Sequence, residues 1–297
     1  MSSVNSNVPM VNEQPCSASS DAQGRPDGRR ANELRPIEIL RPAWGRAPGR
    51  VLFRMGKTTV LCTCSVEPSV PPFLVGTGKG WLTAEYNMLP GSTTPRKVRT
   101  STRPDGRSIE IQRLIGRSLR TCLDLQKLGE RTLYVDCDVL EADGGTRTAS
   151  INGGFLAVAD ALVAMQNDLP FPLQEVLIGS VAAVSVGLWH GQRILDLNYL
   201  EDKDAAVDLT LVMTGDGRLV EVQAGGEEAT FAEDDFQALL ELGRRGIKRI
   251  LAVLREELGE LWPAKRRSSS RTAETDSASV TVFSRTARKS AKSQGKK

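Results

Sequence analysis

Residues 131–150 read RTLYVDCDVLEADGGTRTAS, and the change of pattern inside them decides the fold. Up to Leu140 the stretch is rich in residues that favour a pleated strand, whereas residues 146–167 suit a packed helix. Glu141-Ala142-Asp143-Gly144-Gly145 joins the two, so the segment is a strand, a glycine turn and a helix. A helix entered in this way begins with unpaired backbone N–H groups at the positive end of its dipole, and Arg147 adds a full charge. Gly144-Gly145-Thr146-Arg147-Thr148 is therefore a candidate phosphate cradle, although a plain glycine turn beside a surface arginine would have the same sequence.

On the N-terminal side, RVLFRM from Arg50 and TTVLCTCSVE from Thr58 read as a hairpin turning at Gly56-Lys57. Gly56-Lys57-Thr58 is not a nucleotide P-loop, because Val51 stands where the first glycine is needed and β-branched residues follow where a helix should. Residues 81–89 form another expected strand and residues 90–106 a loop. Residues 108–128 form an expected helix, with Ile111, Leu114, Ile115, Leu119 and Cys122 at helical spacing. Beyond the central helix, strands are expected over 179–188, 194–198 and 207–223, the last broken by a hairpin turn at Gly215-Asp216-Gly217. An amphipathic helix over 233–261 follows. Strand groups alternating with packed helices imply an α+β fold of mixed sheets covered by helices.

At 297 residues, 40% hydrophobic and 25% charged, the chain has the make-up of an ordinary globular protein. The best apolar run, 155–165, is short and broken by Asp160, so no membrane span is expected. Residues 1–24 lack the basic start and apolar stretch of a secretory leader, and a cytoplasmic protein is expected. From Lys265 onward ten Lys or Arg face only Glu274 and Asp276, a net +8 in a chain of net +3, which leaves −5 for the rest. Residues 1–24 and 264–297 read as disordered tails. The five cysteines are scattered and read as thiols. Cys62 and Cys64 share one strand face, but His190 is the only histidine and no second cysteine pair follows, which argues against zinc.

Two further clusters carry chemistry. Glu201-Asp202-Lys203-Asp204-Ala205-Ala206-Val207-Asp208 packs four carboxylates ahead of a strand. Such acids can hold a hard divalent cation or hand a proton to a leaving oxygen, with a solvated acidic loop as the plain alternative. Asp208 stands apart, because alternation puts it on the face opposite Leu209. Between Gly91 and Arg107, the cations Arg96, Lys97, Arg99, Arg103 and Arg107 are opposed only by Asp105, which suits a phosphodiester backbone. Arg107 opens a helix and would add a second cation to the cradle if the two helix starts are neighbours.

RPDGRRANELRPI from Arg25, VPPFLVGTGKGWLTAEYNMLP from Val70, GRSIEIQRLIGRSLR from Gly106, LGERTLYVDCDVLEADGGTRTASI from Leu128 and DLTLVMTGDGRLVEVQ from Asp208 resemble the bacterial RNase PH family. The resemblance spans residues 25–261 and implies a ribosomal-protein-S5-domain-2-like βαβ core in a catalytic domain over 25–263. The implied activity is a phosphate-dependent 3′→5′ exoribonuclease, a nucleotidyltransferase. It would trim transfer-RNA precursors, and other RNA 3′ ends such as those of ribosomal RNA, with inorganic phosphate as co-substrate and nucleoside diphosphates as product. It implies Arg107, Gly145, Thr146 and Arg147 as phosphate ligands, and Asp202 and Asp208 as a catalytic pair that binds Mg²⁺ or assists the leaving 3′-oxygen. Arg96 and Arg99, with Arg103 in support, would bind RNA; Gly91 stands where the family's first loop arginine is found. The family assembles as a hexameric ring built from dimers, and a catalytically silent RNA-binding ring subunit, as in an exosome, is the alternative. AGGEEATF after Gln223 departs from the common pattern and is expected to touch no catalytic group.

Overall fold

The computed structural model describes residues 24–99, 105–226 and 230–263. Arg103 and the expected tails, apart from Gly24, lie outside the described residues. β1 (Ile37–Leu40), β2 (Gly49–Met55) and β3 (Thr58–Glu67) pair antiparallel in sequence order. Alternation sends Val51, Phe53, Val60, Cys62 and Cys64 into the core and the residues between them outward. β4 (Trp81–Met88) leads to α1 (Gly106–Arg120), the single turn α2 (Leu125–Leu128) and β5 (Thr132–Glu141). β5 inserts between β3 and β4, antiparallel to the first and parallel to the second, which gives a five-stranded sheet in the order β1-β2-β3-β5-β4.

The helix expected over 108–128 is thus two helices. Asp124 starts the second, its carboxylate accepting from the N–H groups of Gln126 and Lys127 at 3.1 and 3.3 Å. Between the helices Leu123 bridges to Leu177, which diverts the chain.

α3 (Thr146–Ala164) is buried on almost every side, including Ile151, Phe155 and Leu156 at full burial, and packs against β2, β3 and β6. That is why its apolar residues form no stripe. Burying Phe155 alone contributes about 1.5–3 kcal/mol. The helix stops at Ala164, before the expected Asn167, and passes into a 3₁₀ turn over Gln166–Asp168.

After α4 (Leu173–Val176), a second sheet is built from β6 (Val181–Trp189), β7 (Gln192–Leu195), β8 (Val207–Thr214) and β9 (Leu219–Gly226), antiparallel in the order β7-β6-β8-β9. α5 (Tyr199–Asp204) lies between β7 and β8 in the chain, and α6 (Glu233–Leu258) lays Leu239, Leu242, Ile247, Ile250 and Leu254 onto this sheet. The strand expected over 194–198 is displaced, because Asp196 adopts a left-handed φ of 56° that ends it. The acidic run is no loop at its start: Asn198 and Glu201 form a reciprocal capping box that opens α5. No helix among the described residues is long and apolar enough to cross a membrane.

Candidate active site

Gly144 and Gly145 both take left-handed backbone, with φ of 74° and 65°. Only glycine adopts such a pair without strain, and it is also required for space. A Cβ at Gly144 would lie 2.6 Å from the Asn198 carbonyl carbon and 2.7 Å from the Leu197 oxygen. Gly145 is the N-cap of α3 and offers no side chain to its first-turn N–H groups, which leaves them for an anion.

Gly144→Ala is expected to combine about 1–2 kcal/mol of left-handed strain with about 1–3 kcal/mol of overpacking. Gly191→Ala is the control, since Gly191 has the same φ of 74° and a methyl added there would meet nothing within 4 Å. Urea unfolding should show the larger loss at Gly144. Equal losses would mean that the contact with the Leu197–Asn198 backbone adds nothing.

The starts of α1 and α3 open on one cavity of about 450 Å³, lined by Arg107, Gly145, Thr146, Arg147, Asp202 and Asp208. Asp105 caps α1 by accepting from the Ser108 N–H at 2.7 Å, which fixes the turn that carries Arg107. That hydrogen bond, with Lys97 beside it, holds the Asp105 carboxyl down to about 2. Arg147 donates to Gln223 Oε1 at 2.7 Å, and Gln223 in turn donates to Glu110 Oε1 at 2.7 Å, so β9 and α1 both steady the guanidinium. The Tyr86 hydroxyl meets Thr146 Oγ1 at 2.8 Å. Burial pushes the Tyr86 phenol up, against the lowering pulls of Thr146, Arg107 and Arg147.

The carboxylates come from different elements. Asp202 sits on the first turn of α5, and Asp208 faces out of β8 between the buried Val207 and Leu209. Its cross-strand neighbours are Gly187 on β6 and Gly225 on β9, so no side chain stands directly beside it on either flank. Gly225, in the segment expected to stand clear of the catalytic groups, is therefore beside Asp208, and a Cβ added there would lie 3.4 Å from Asp208 Oδ1. Sequence alone missed this because the pairing depends on strand register.

The acidic run divides. Glu201 is fully buried against Arg25, Asp204 is exposed outside the cavity lining, and only Asp202 and Asp208 reach it. Arg96 and Arg99 are exposed and do not line the cavity, whereas Lys97 between them does, and it pairs with Asp105 at 3.2 Å. Tyr199, Ser185 and Thr210 also line the cavity and were not singled out by sequence. Tyr199 had a usable signal, since it precedes Asp202 by one helical turn. Among the described residues, no group of three or more His, Cys, Asp or Glu is gathered to hold a metal ion unaided.

Residues 33–164 match the family model described as 3′ exoribonuclease family, domain 1, and residues 179–246 match domain 2 of that family. The chain is 48% identical over 245 residues to the Ribonuclease PH of Listeria innocua, a match covering 80% of this chain and 97% of that protein. The Ribonuclease PH of Listeria welshimeri is likewise 48% identical over 247 residues, covering 81% and 98%. Among solved structures, a chain of an Archaeoglobus fulgidus exosome with RNA bound to the active site superposes with a TM-score of 0.66 at 22% identity, covering 78% of this chain and 92% of that one. A chain of an archaeal exosome core gives 0.63 at 22% identity, covering 78% and 91%. At that identity the likeness is one of fold.

Proposed function

This chain belongs to the ribonuclease PH family of 3′ exoribonucleases, and we propose that its cavity brings inorganic phosphate to the 3′ end of a transfer-RNA precursor. The enzyme is a phosphorolytic 3′→5′ exoribonuclease, and so a nucleotidyltransferase rather than a hydrolase. A phosphate oxygen attacks the phosphorus of the last phosphodiester. The bond to the penultimate 3′-oxygen breaks, that oxygen takes up a proton, and the terminal residue leaves as a nucleoside 5′-diphosphate. Two anions must meet for this to occur, so cations and oriented N–H groups have to offset their repulsion.

The observation that carries the reading is the convergence of two arginine-bearing helix starts and two carboxylates on one cavity. We assign Arg107, Arg147, Thr146 and the N–H groups after Gly145 to the attacking phosphate. Asp202 and Asp208 act at the leaving oxygen. Their carboxylate oxygens are the hard donors that Mg²⁺ takes, so Asp202 and Asp208 would hold such an ion. When bound, such an ion supplies neutralising charge to the leaving oxygen. The same cavity argues against a silent RNA-binding subunit, which would have no need of both pairs. We further propose a domain over 25–263, a cytoplasmic homohexamer and a role in ribosomal-RNA 3′ processing. Buried thiols at Cys62, Cys64 and Cys137 suit a reducing compartment.

Incubating a 3′-extended transfer RNA with and without inorganic phosphate tests the reading. Nucleoside diphosphate should be released only with phosphate, and monophosphate release without it would refute phosphorolysis.

Arg96 and Arg99 project outside the cavity and are assigned to the body of the substrate RNA. Replacing both with Ala should weaken binding of full transfer RNA and lower its salt slope by roughly one unit or more, while short single-stranded oligonucleotides turn over almost normally. Equal damage to both substrates would put these arginines in the reaction itself.

A further inference from the structure

Among the described residues, 24–36 form no strand or helix, yet they carry two of the most deeply buried arginines. Arg25 donates through Nε and Nη2 to both oxygens of Glu201, each at 2.7 Å, and its Nη1 reaches the Leu195 oxygen at 2.9 Å. Arg35 donates through Nε and Nη2 to the two oxygens of Asp196 at 3.0 and 2.7 Å, and the Arg35 backbone N–H donates to the same carboxylate at 2.7 Å. Burial alone would lower the Arg35 guanidinium, but Asp196 beside it reverses the sign and raises it.

Fully buried ion pairs are weak contributors to stability, because desolvation offsets most of the attraction. What these two hold is more telling. Arg35 Nη1 donates to the Asp143 oxygen at 2.5 Å, directly before the glycine turn that opens α3. Glu201, bound by Arg25, accepts from the Asn198 N–H at 2.9 Å while its own N–H donates to Asn198 Oδ1 at 3.0 Å, and Asp202 is the next residue. α5 has only six residues, too few to keep a helical shape without outside support. Each half of the cavity therefore has its own buried arginine behind it.

We propose that these are two positioning devices with different outputs: Arg35 with Asp196 sets the phosphate cradle, and Arg25 with Glu201 sets Asp202, although Arg29 pairs with both Asp196 and Glu201, at 3.4 and 3.5 Å, and Arg25 Nη2 donates to the Asp196 backbone oxygen at 3.0 Å. None of the four lines the cavity, so they act through other residues. The inference rests on the phosphorolytic reading above, and it predicts a split that a merely structural role would not produce.

The test uses the full-length protein, assayed well below each variant's unfolding temperature. Arg35→Lys keeps the charge but loses the planar fork, and should raise the phosphate KM roughly tenfold while kcat at saturating phosphate stays within about twofold. Glu201→Gln should do the reverse, lowering kcat roughly tenfold or more with the phosphate KM within about twofold. If Glu201→Gln does not fold, Arg25→Lys tests the same arm with the charge retained and is expected to lower kcat alone. Arg41→Lys is the control, an ion pair with Asp160 and Glu257 remote from the cavity, and should leave both constants unchanged. Changes in kcat and phosphate KM by one common factor in both arms would overturn the proposal and leave the pairs as simple fold supports. Absence of phosphate-dependent turnover in the unaltered protein would instead refute the underlying reading, so the two failures are distinguishable.

Discussion

Asp208→Asn is expected to lower kcat by roughly a hundredfold or more at saturating RNA and phosphate, the range in which proton transfer or charge compensation at a leaving group operates. The substitution keeps the shape and removes only the charge. β8 is paired on both sides, so Asp208 is carried by rigid backbone, and a carboxylate on a strand is held better than one on a loop. Gly187 and Gly225 leave the space beside it open for substrate. RNA affinity should hold or rise, since a negative charge facing a phosphodiester has gone. Asp202→Asn should also lower kcat, while Asp204→Asn should change little, because Asp204 is exposed and outside the cavity lining. Steady-state kinetics on the three variants decides between a specific pair and a diffuse acidic field. Equal effects at Asp204 and Asp208 would favour the field.

Much of this architecture is visible in local pattern. The strand, glycine turn and helix around Gly144 stand where the residue types change, and the hairpins at Gly56 and Gly215–Gly217 follow from turn chemistry between β-forming runs. The cavity arginines, Arg107 and Arg147, are recognisable because each opens a helix. The long-range pairings were not visible. Glu201 looks like any member of an acidic run, and its burial follows from Arg25, 176 residues away in sequence. The helix at 199–204 did have a local signal, since Asn198 and Glu201 have the spacing of a capping box. The pairing of Gly225 with Asp208 needed the β8–β9 register, because a shift of one residue toward Ala224 would put a side chain where there is none. Lys97 was hidden for a different reason. It stands among several loop cations, and only the fold of that loop decides which one turns toward the cavity.

Arg147→Ala is expected to raise the phosphate KM by roughly tenfold to a hundredfold, the loss that follows removal of a hydrogen bond to a charged group worth about 1.5–3 kcal/mol. RNA affinity, measured without phosphate, should change much less, because Arg147 follows the α3 start and is assigned to the attacking anion rather than to the polymer. The tether supplies an internal check. Gln223 accepts from Arg147 and donates to Glu110, so Gln223→Ala leaves the guanidinium present but free to swing. That variant should raise the phosphate KM by a smaller factor, and adding Gln223→Ala to Arg147→Ala should then cost almost nothing more, as expected of two residues acting as one unit. Arg147→Lys should recover only part of the loss, since a single ammonium cannot present the paired N–H groups that match two phosphate oxygens. A normal phosphate KM in Arg147→Ala would remove the arginine from the cradle and leave the α3 N–H groups with Arg107 as the whole of the anion site.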